Sequence, residues 1–193
     1  DEVFLLAATE HIRPVLRQLR RMMTPVERIM IAGGGNIGLR LAKVLEKRYE
    51  VKIIEGRQER AELIANELDN SLVLLGDATD EELLEQENIS EMDLFLAVTN
   101  DDEDNIMAGS LAKRLGSKRV VALINRRAYA DMIEGGPIDI GISPAQVSIG
   151  TLLAHVRQGD VAEVHSLRRG AAEALELVAH GDAKTSKIVG KRI

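Results

Sequence analysis

The chain has 193 residues, enough for one full domain with flanking pieces, and 45% of them are hydrophobic, which is typical of a folded globular protein. Aromatic residues make up only 2% and the net charge is −6, so neither base stacking nor a strong basic field favours nucleic acid as a partner. Cysteine is absent, which excludes disulfides, thiolate metal sites and cysteine nucleophiles.

Residues 1–27 are predicted to form the end of a preceding domain and a linker. Residues 3–8 are an apolar run typical of a buried strand, and Thr9 is a candidate N-cap for the basic helix behind it. That helix ends before Pro25, because the residue preceding a proline is disfavoured in the helical conformation. One strand and one helix cannot bury a core alone, and the chain begins at Asp1 within this region. We therefore expect the chain to be a piece of a longer protein.

Residues 28–143 alternate short aliphatic runs with helical stretches. The predicted strands are residues 29–32, 51–55, 72–75, 94–98, 120–124 and 138–142. The predicted helices between them are residues 37–48, 58–68, 80–86, 104–115 and 128–133. Continuous aliphatic strands separated by helices indicate a parallel sheet that is covered on both faces. The expected fold class is therefore α/β, a doubly wound parallel sheet of the Rossmann type.

A further helix is predicted over residues 144–158, opened by Pro144 and closed by a break at Gly159. Its apolar residues recur at helical spacing and form one stripe, made of Ala145, Ile149, Leu152, Leu153 and Val156. Because this helix follows the last strand of the sheet, we expect residues 144–157 to pair two copies of the chain as a homo-oligomer. Packing of the stripe on the chain's own core is the alternative. Residues 159–193, with a strand over 172–179, are expected to begin a second, small domain that is truncated.

A glycine-rich loop follows the first predicted strand and opens the first helix. Its residues fit the pattern G-x-G-x-x-G and read Gly33, Gly34, Gly35, Asn36, Ile37 and Gly38. The first glycine of this pattern allows a tight turn, the second lets a pyrophosphate approach the backbone, and the third lets the helix pack close to the strand. The free N–H groups of the helix terminus then favour a diphosphate. A turn that serves packing alone is the alternative.

Glu55 ends the second predicted strand, twenty positions after Gly35. A carboxylate at this place accepts hydrogen bonds from a ribose diol, and its charge disfavours a 2′-phosphate. NAD is therefore expected to bind better than NADP. Arg57 lies nearby and could accept a 2′-phosphate instead, and a solvated acid at the strand end is the alternative for Glu55.

The loops after the later strands meet at the same edge of a parallel sheet and are expected to line the same cleft. The candidate binding residues there are Asp77, Ala78, Thr99, Asn100, Asn125 and Arg126. Thr79 or Asp80 is a candidate helix N-cap, which is compatible with a binding role for the loop before it. The acids 101–104 are better explained as a capping cluster than as a metal site, and residues 125–127 could equally form a basic surface loop.

Groups suited to catalysis are scarce. The histidines lie outside residues 28–143, at His11, His155, His165 and His180. The Tyr-x-x-x-Lys pair of short-chain dehydrogenases is absent, because Tyr129 is followed four positions later by Ile133. We therefore expect no catalytic residue, no metal site and no enzyme activity.

Together, these motifs resemble the RCK/KTN domain, the cytoplasmic regulator of potassium channels and transporters. The resemblance lies in residues 29–38, 51–55, 76–80 and 94–105, whose Gly-Asp-Ala-Thr and Val-Thr-Asn-Asp-Asp elements are more specific than the glycine loop. It implies that NAD or NADH binds as a signal without turnover, at the candidate residues named above, with ATP or ADP as a possible competitor. Family members that sense ATP often carry a basic residue in the glycine loop, whereas this chain has Asn36.

The resemblance extends over nearly the whole chain and implies the second of two tandem units, each with a small C-terminal domain. It implies that residues 1–27 end the first C-terminal domain and that residues 159–193 begin the second, truncated one. It further implies a peripheral subunit at the inner face of the plasma membrane, with a membrane-embedded potassium-transporting subunit as its partner. Ligand-dependent rearrangement of paired domains would then gate potassium uptake. The alternatives are a fragment of an NAD-dependent oxidoreductase and a structural module whose glycine loop binds nothing.

Overall fold

The computed structural model describes residues 25–133, 135–145 and 147–149, and beyond them residue 152, the strands Val161–Leu167 and Ala172–Leu177, and residues 181, 184, 185 and 189. The strand and the helix predicted in residues 1–24 lie outside these residues, as do Leu153 and Val156.

Six parallel strands between Arg28 and Ile142 form one sheet. They are β1 (Arg28–Ala32), β2 (Glu50–Glu55), β3 (Ser71–Leu75), β4 (Leu94–Ala97), β5 (Val120–Leu123) and β6 (Ile140–Ile142). Their order across the sheet is β3-β2-β1-β4-β5-β6, and every neighbouring pair is parallel. The chain thus winds outward in both directions from a switch point between β1 and β4, where doubly wound folds bind ligands. This topology confirms the predicted Rossmann-type sheet.

Helices cover both faces of the sheet. They are α1 (Asn36–Leu45), α2 (Gln58–Glu67), α3 (Glu81–Gln86), α4 (Asp102–Arg114) and α5 (Arg127–Met132), with a 3-10 turn at Ile89–Glu91. One core packs α1 and α2 on the sheet through residues such as Ile31 and Ile64. The other packs α3, α4 and α5 through residues such as Leu84 and Phe95. Alternate residues of β1 and β2 enter the two cores, as the pleat of a strand covered on both faces requires.

Some helices begin at other residues than predicted, because a side chain forms a hydrogen bond that caps the helix there. Asp101 caps α4, since its carboxylate accepts from the Asp104 N–H, so this helix begins two residues earlier than predicted. Asp80 caps α3 by accepting from the N–H groups of the next turn. Helix α1 ends at Leu45 instead of residue 48, and the N–H groups of Arg48 and Tyr49 both donate to the Leu45 carbonyl at 3.0 Å.

Two further differences concern strands. The last strand of the sheet begins at Ile140 instead of residue 138, because the Asp139 carboxylate folds back to accept from the Val120 N–H at 2.7 Å. Beyond the sheet, β7 (Val161–Leu167) and β8 (Ala172–Leu177) form an antiparallel pair, of which only β8 was predicted. A register shift between Val161 and Glu163 interrupts the alternation in β7, which explains why the two-residue period does not reveal it. In the described part of the chain, no helix has both the length and the apolar character needed to cross a membrane.

Asp93 ties three segments together at the amino-terminal edge of the sheet. Its carboxylate accepts from the Lys118 ammonium at 2.6 Å and from the N–H groups of Glu27 and Arg28 at 2.8 and 2.9 Å. These donors, Lys118 first, lower the pKa of Asp93 from 3.8 to about 2. The carboxylate is only 8% exposed, so its hydrogen bonds are partly shielded from water.

We expect Asp93→Asn to lower the free energy of unfolding at neutral pH by roughly 1–3 kcal/mol, because the N–H groups of Glu27 and Arg28 and the Lys118 ammonium lose a charged acceptor. Since the folded-state pKa is depressed, the stabilisation is fully present above about pH 4 and is lost as the pH falls through about 2. Urea denaturation of both proteins at pH 7 and near pH 2 measures this difference. Asp69→Asn, at an exposed position, serves as the control and should change stability by less than about 0.5 kcal/mol. A gap between wild type and Asp93→Asn that does not shrink in acid would contradict this assignment.

Candidate functional site

A cleft of 1120 Å³ opens at the carboxyl ends of the parallel strands, at the switch point between β1 and β4. It is lined by most of the residues predicted from the sequence, namely Gly33, Gly35, Asn36, Ile37, Glu55, Arg57, Asp77, Ala78, Thr99, Asn100 and Asn125. Of the remaining predicted residues, Gly34, Gly38 and Arg126 do not line it. The fold therefore gathers segments that follow all six strands around one open space.

Three glycines of the loop after β1 meet three different requirements. Gly33 has a φ of +105°, and a Cβ there would lie 3.0 Å from the Thr99 nitrogen. Gly35 faces open space, since an added Cβ would meet nothing within 4 Å. A Cβ on Gly38 would overlap the carbonyl oxygen of Gly33, so this glycine lets α1 approach the loop. These are the roles that the glycine pattern predicts. Of the three glycines, only Gly35 has no protein atom near the position of an added Cβ, so a ligand can approach its backbone.

The N-terminus of α1 is open toward the cleft. Its N-cap is Gly35, no side chain caps the terminus, and the first turn contains no acidic residue. The terminal N–H groups and the positive end of the helix dipole are thus not neutralised by the helix's own side chains. This arrangement is suited to binding a phosphate.

Gly34 contributes to the shape of the loop rather than to the cleft. Its N–H donates to Glu55 Oε2 at 2.9 Å, and its carbonyl accepts from Arg60 Nε at 2.7 Å. A Cβ here would lie 2.6 Å from Ile64 Cδ1. Both backbone groups of Gly34 are thus used inside the protein, and Arg60, which the sequence analysis did not single out, helps to fix the loop.

Glu55 connects the glycine loop to the end of β2. While Oε2 accepts from Gly34, Oε1 accepts from the Arg57 N–H at 3.0 Å and lies 3.4 Å from Arg57 Nε. The residue is only 8% exposed, yet it lines the cleft, whereas the Arg57 side chain is 77% exposed. Because each carboxylate oxygen has two lone pairs, Glu55 can hold the loop and still accept a hydrogen bond from a ligand.

The turn after β3 is ordered by Asp77. Its carboxylate accepts from the backbone N–H and from the hydroxyl of Thr79, both at 2.8 Å, and these two bonds lower its pKa. The next helix is capped by Asp80. Both roles considered for this turn are therefore compatible, because Asp77 and Ala78 line the cleft while Asp80 caps the helix.

Asn105 fixes the end of β4. Its Oδ1 accepts from the N–H and the hydroxyl of Thr99 at 2.8 Å each, and its Nδ2 donates to the carbonyls of Thr99 and Leu123 at 3.2 and 2.9 Å. The side chain is completely buried and links the ends of β4 and β5. Asn105 was not predicted as a site residue, although a polar residue on the same helical face as Ala108 and Ala112 was a usable signal.

The loop after β5 is held by Asp102, which accepts from the N–H groups of Asn125 and Arg126 at 2.8 Å each. The Arg126 guanidinium donates to Glu103 Oε1 at 2.8 Å and to the Tyr129 hydroxyl at 2.9 Å. It also lies over the Tyr129 ring, 5.1 Å from the centroid. These contacts keep the guanidinium out of the cleft lining, whereas the neighbouring Asn125 lines it.

Several cleft residues were not predicted. They are Ile54, Gly56, Gly76, Thr79, Val98, Asp104, Ala108, Leu123 and Pro144. Most of them lie next to predicted residues at the strand ends, so a prediction that included one or two more residues on each side would have found them. Burial, followed by the charges of Asp101, Asp77 and Glu103, raises the pKa of Asp104. The side of the cleft nearest Asp77 and Asp104 is therefore electronegative.

Among the described residues, no three or more His, Asp or Glu side chains are arranged so that they could hold a metal ion. His11, His155 and His180 lie outside the described residues, and for His165 only the backbone of β7 is described.

Comparison with protein families places the TrkA-N domain on residues 29–144. The Trk system potassium uptake protein TrkA of Vibrio alginolyticus is 57% identical over 193 residues, and that of Halomonas elongata is 55% identical over the same length. TrkA homolog 2 of Methanosarcina mazei is 38% identical over 166 residues, 85% of this chain and 36% of the relative. The bacterial matches cover 100% of this chain but only 42% of each relative, so the chain spans less than half of their length.

Two solved structures illustrate the likeness of fold. The TrkA-N domain of the inner membrane protein ybaL from Escherichia coli matches with a TM-score of 0.62 at 14% identity, over 69% of this chain and 99% of that one. The GsuK channel bound to NAD matches with a TM-score of 0.59 at 18% identity, over 79% of this chain and 28% of the channel. At such identities the likeness concerns the fold alone.

Proposed function

This chain belongs to the TrkA-N domain family, and we propose that it is the NAD(H)-sensing second unit of a regulatory subunit for membrane potassium uptake. The observation that carries the proposal is the cleft at the switch point, where Gly35 leaves open space beside an uncapped helix terminus. A diphosphate would bind at this terminus. The Trk potassium uptake protein TrkA of Vibrio alginolyticus, 57% identical, supports the physiological assignment.

The arrangement of the cleft favours a dinucleotide. With the diphosphate at the glycine loop, one nucleoside would lie toward Glu55 and Asp77 and the other toward Thr99 and Asn125. The Glu55 carboxylate would accept from a ribose diol and repel a 2′-phosphate, so NADPH should bind less well than NADH. The electronegative side near Asp77 and Asp104 disfavours a triphosphate more than a diphosphate, because the triphosphate carries more negative charge. The GsuK channel has been solved both with NAD and with ADP, so ADP is a reasonable competitor.

We propose that the bound nucleotide acts as a signal and is not turned over. The remaining candidate binding residues, including the Asn125 and Arg126 loop, would sense occupancy and transmit it to paired domains. Ligand binding can shift such an equilibrium only by its differential affinity for the two arrangements, typically about 1–3 kcal/mol. The partner would be the membrane-embedded Trk potassium-transporting subunit, with this chain located in the cytoplasm at the inner face of the plasma membrane.

Isothermal titration with NADH, NAD⁺, ADP, ATP and NADPH tests the proposed ligand. We expect NADH or NAD⁺ to bind most tightly, and NADPH to bind at least about tenfold more weakly than NADH. In a separate assay for turnover, the absorbance of NADH should stay constant when common carbonyl substrates are added. Tight binding of ATP alone would contradict the NAD(H) assignment. Sustained enzyme-dependent oxidation of NADH would instead support an oxidoreductase, and the absence of any binding would support a purely structural module.

The helical segment after β6 is proposed to pair two copies of the chain. Residues 144, 145, 147–149 and 152 are helical, and within the predicted stripe Ile149 and Leu152 are 54% and 63% exposed. We expect Ile149→Asp/Leu152→Asp to yield a folded monomer that still binds nucleotide. Burial of each aliphatic side chain contributes roughly 1.5–3 kcal/mol before the entropy of association is subtracted, so two buried charges should raise the dimer dissociation constant by at least about 100-fold.

Light scattering and sedimentation at micromolar concentration measure this change. Val44→Asp, which alters a 67% exposed apolar residue on α1, serves as the matched control and should remain oligomeric. If the wild-type chain is already monomeric, or if the double variant unfolds, the helical segment packs on the chain's own core and does not pair two copies.

A further inference from the structure

Asp102 is a buried carboxylate whose hydrogen bonds all lead to one loop. The residue is 4% exposed and lies in the first turn of α4, directly after the N-cap. Its Oδ1 accepts from the N–H and the side-chain amide of Asn125 at 2.8 and 2.9 Å, and its Oδ2 accepts from the Arg126 N–H at 2.8 Å. A single side chain thus orients two consecutive backbone groups of the loop after β5.

Helix capping does not account for this arrangement. Asp101 caps α4, because its carboxylate accepts from the Asp104 N–H at 3.0 Å. Burial by itself would raise the pKa of Asp102, but the N–H groups of Asn125 and Arg126 reverse that effect and leave the pKa below its ordinary value. Asp102 is therefore charged at neutral pH and forms strong, charge-assisted hydrogen bonds with the loop.

The loop that Asp102 holds belongs to one half of the cleft. Asn125 lines the cleft beyond β4 and β5, whereas Glu55 and Asp77 line it beyond β2 and β3, and the glycine loop after β1 lies between the two halves. A mononucleotide bound with its phosphates at the glycine loop would fill the Glu55 half. Only the second nucleoside of a dinucleotide would reach Asn125.

We propose that Asp102 is a positioning residue that sets the preference of the site for dinucleotides over mononucleotides. It acts through the Asn125 loop, which it holds in the shape that receives the second nucleoside. This inference rests on the proposed function, since it presupposes a nucleotide at the glycine loop.

Titration of the chain with NADH and with ADP tests the proposal through the ratio of the two dissociation constants. Asp102→Asn removes the charge and turns an amide N–H₂ toward backbone donors, so the NADH dissociation constant should rise at least about tenfold. The ADP dissociation constant should stay within about twofold, because the Glu55 half is unchanged. The control is Asp69→Asn, which makes the same chemical change at an exposed position outside the cleft lining and should leave the ratio unchanged.

Asn125→Ala provides a second variant in case Asp102→Asn does not fold. Asn125 is exposed, and its substitution removes one of the three hydrogen bonds to Asp102, so the ratio should shift in the same direction by a smaller factor. The proposal is overturned if the variants weaken NADH and ADP equally, or if neither changes the ratio while wild type binds both ligands. A wild-type chain that binds neither ligand would instead refute the proposed function.

Discussion

Gly35→Val is expected to abolish dinucleotide binding while leaving the fold intact. The Cβ of the new side chain would meet nothing in the protein within 4 Å, and the backbone at Gly35 has φ −65° and ψ −168°, which valine can adopt. The branched side chain would instead occupy the space where the diphosphate approaches the terminus of α1. We expect the dissociation constants of both NADH and ADP to rise at least about 100-fold, because the two ligands share the diphosphate.

Isothermal titration combined with thermal melting measures this outcome. Gly35→Ala should show an intermediate loss of affinity, since a single methyl group intrudes less, and both variants should melt within a few degrees of wild type. The joint loss of NADH and ADP distinguishes this variant from Asp102→Asn, which should affect NADH alone. If wild type and a folded Gly35→Val chain bind NADH and ADP with equal affinity, the glycine loop is not part of the binding site.

The sheet was predictable because aliphatic runs buried on both faces leave a strong pattern in the sequence. Ile31 and Phe95 lie in such runs, and both are completely buried in the structure. The ends of elements were less predictable, because single side-chain hydrogen bonds determine them. Asp101 and Asp139 are examples, and whether a carboxylate caps a helix or folds back onto a strand depends on neighbours that are distant in sequence.

The candidate site was predictable to the extent that it follows from topology. Parallel strands bring their carboxyl ends to one edge, so residues such as Glu55, Asp77 and Thr99 had to come near one another. The directions of long side chains could not be inferred in this way. Arg126 follows β5 as predicted. Its guanidinium, however, contacts Glu103 and Tyr129, and these contacts keep it out of the cleft lining.

Gly34 illustrates the same limit within a well-understood motif. The pattern G-x-G-x-x-G leaves its second position unspecified, yet here that residue is held by Glu55 on one side and by Arg60 on the other. The Glu55 carboxylate therefore supports the loop as well as facing the cleft. Sequence spacing identified Glu55 but could not reveal this second role, because the contact spans 21 positions and depends on how the loop folds.

Gly38→Ala is expected to cause the largest loss of stability of any single methyl group added to the glycine loop. The new Cβ would overlap the carbonyl oxygen of Gly33, a backbone atom that cannot rotate away. Gly33 cannot move either without a cost, because its N–H donates to the Ile54 carbonyl at 2.8 Å and its φ is +105°. Overpacking of this kind costs about 1–3 kcal/mol or more, and we expect the upper end because backbone meets backbone.

For a chain of this length, about 3 kcal/mol corresponds to a fall in melting temperature of roughly 6–12 °C, which calorimetry or circular dichroism would detect. Gly35→Ala is the matched control, since it adds the same methyl group three residues earlier into open space and should melt near the wild-type temperature. Binding of NADH by Gly38→Ala should weaken as well, because α1 must shift away from Gly33 and its N-terminus would then no longer face the cleft. Equal melting temperatures for the two alanine variants would show that α1 can move freely, and close packing would then not be the reason for glycine at residue 38.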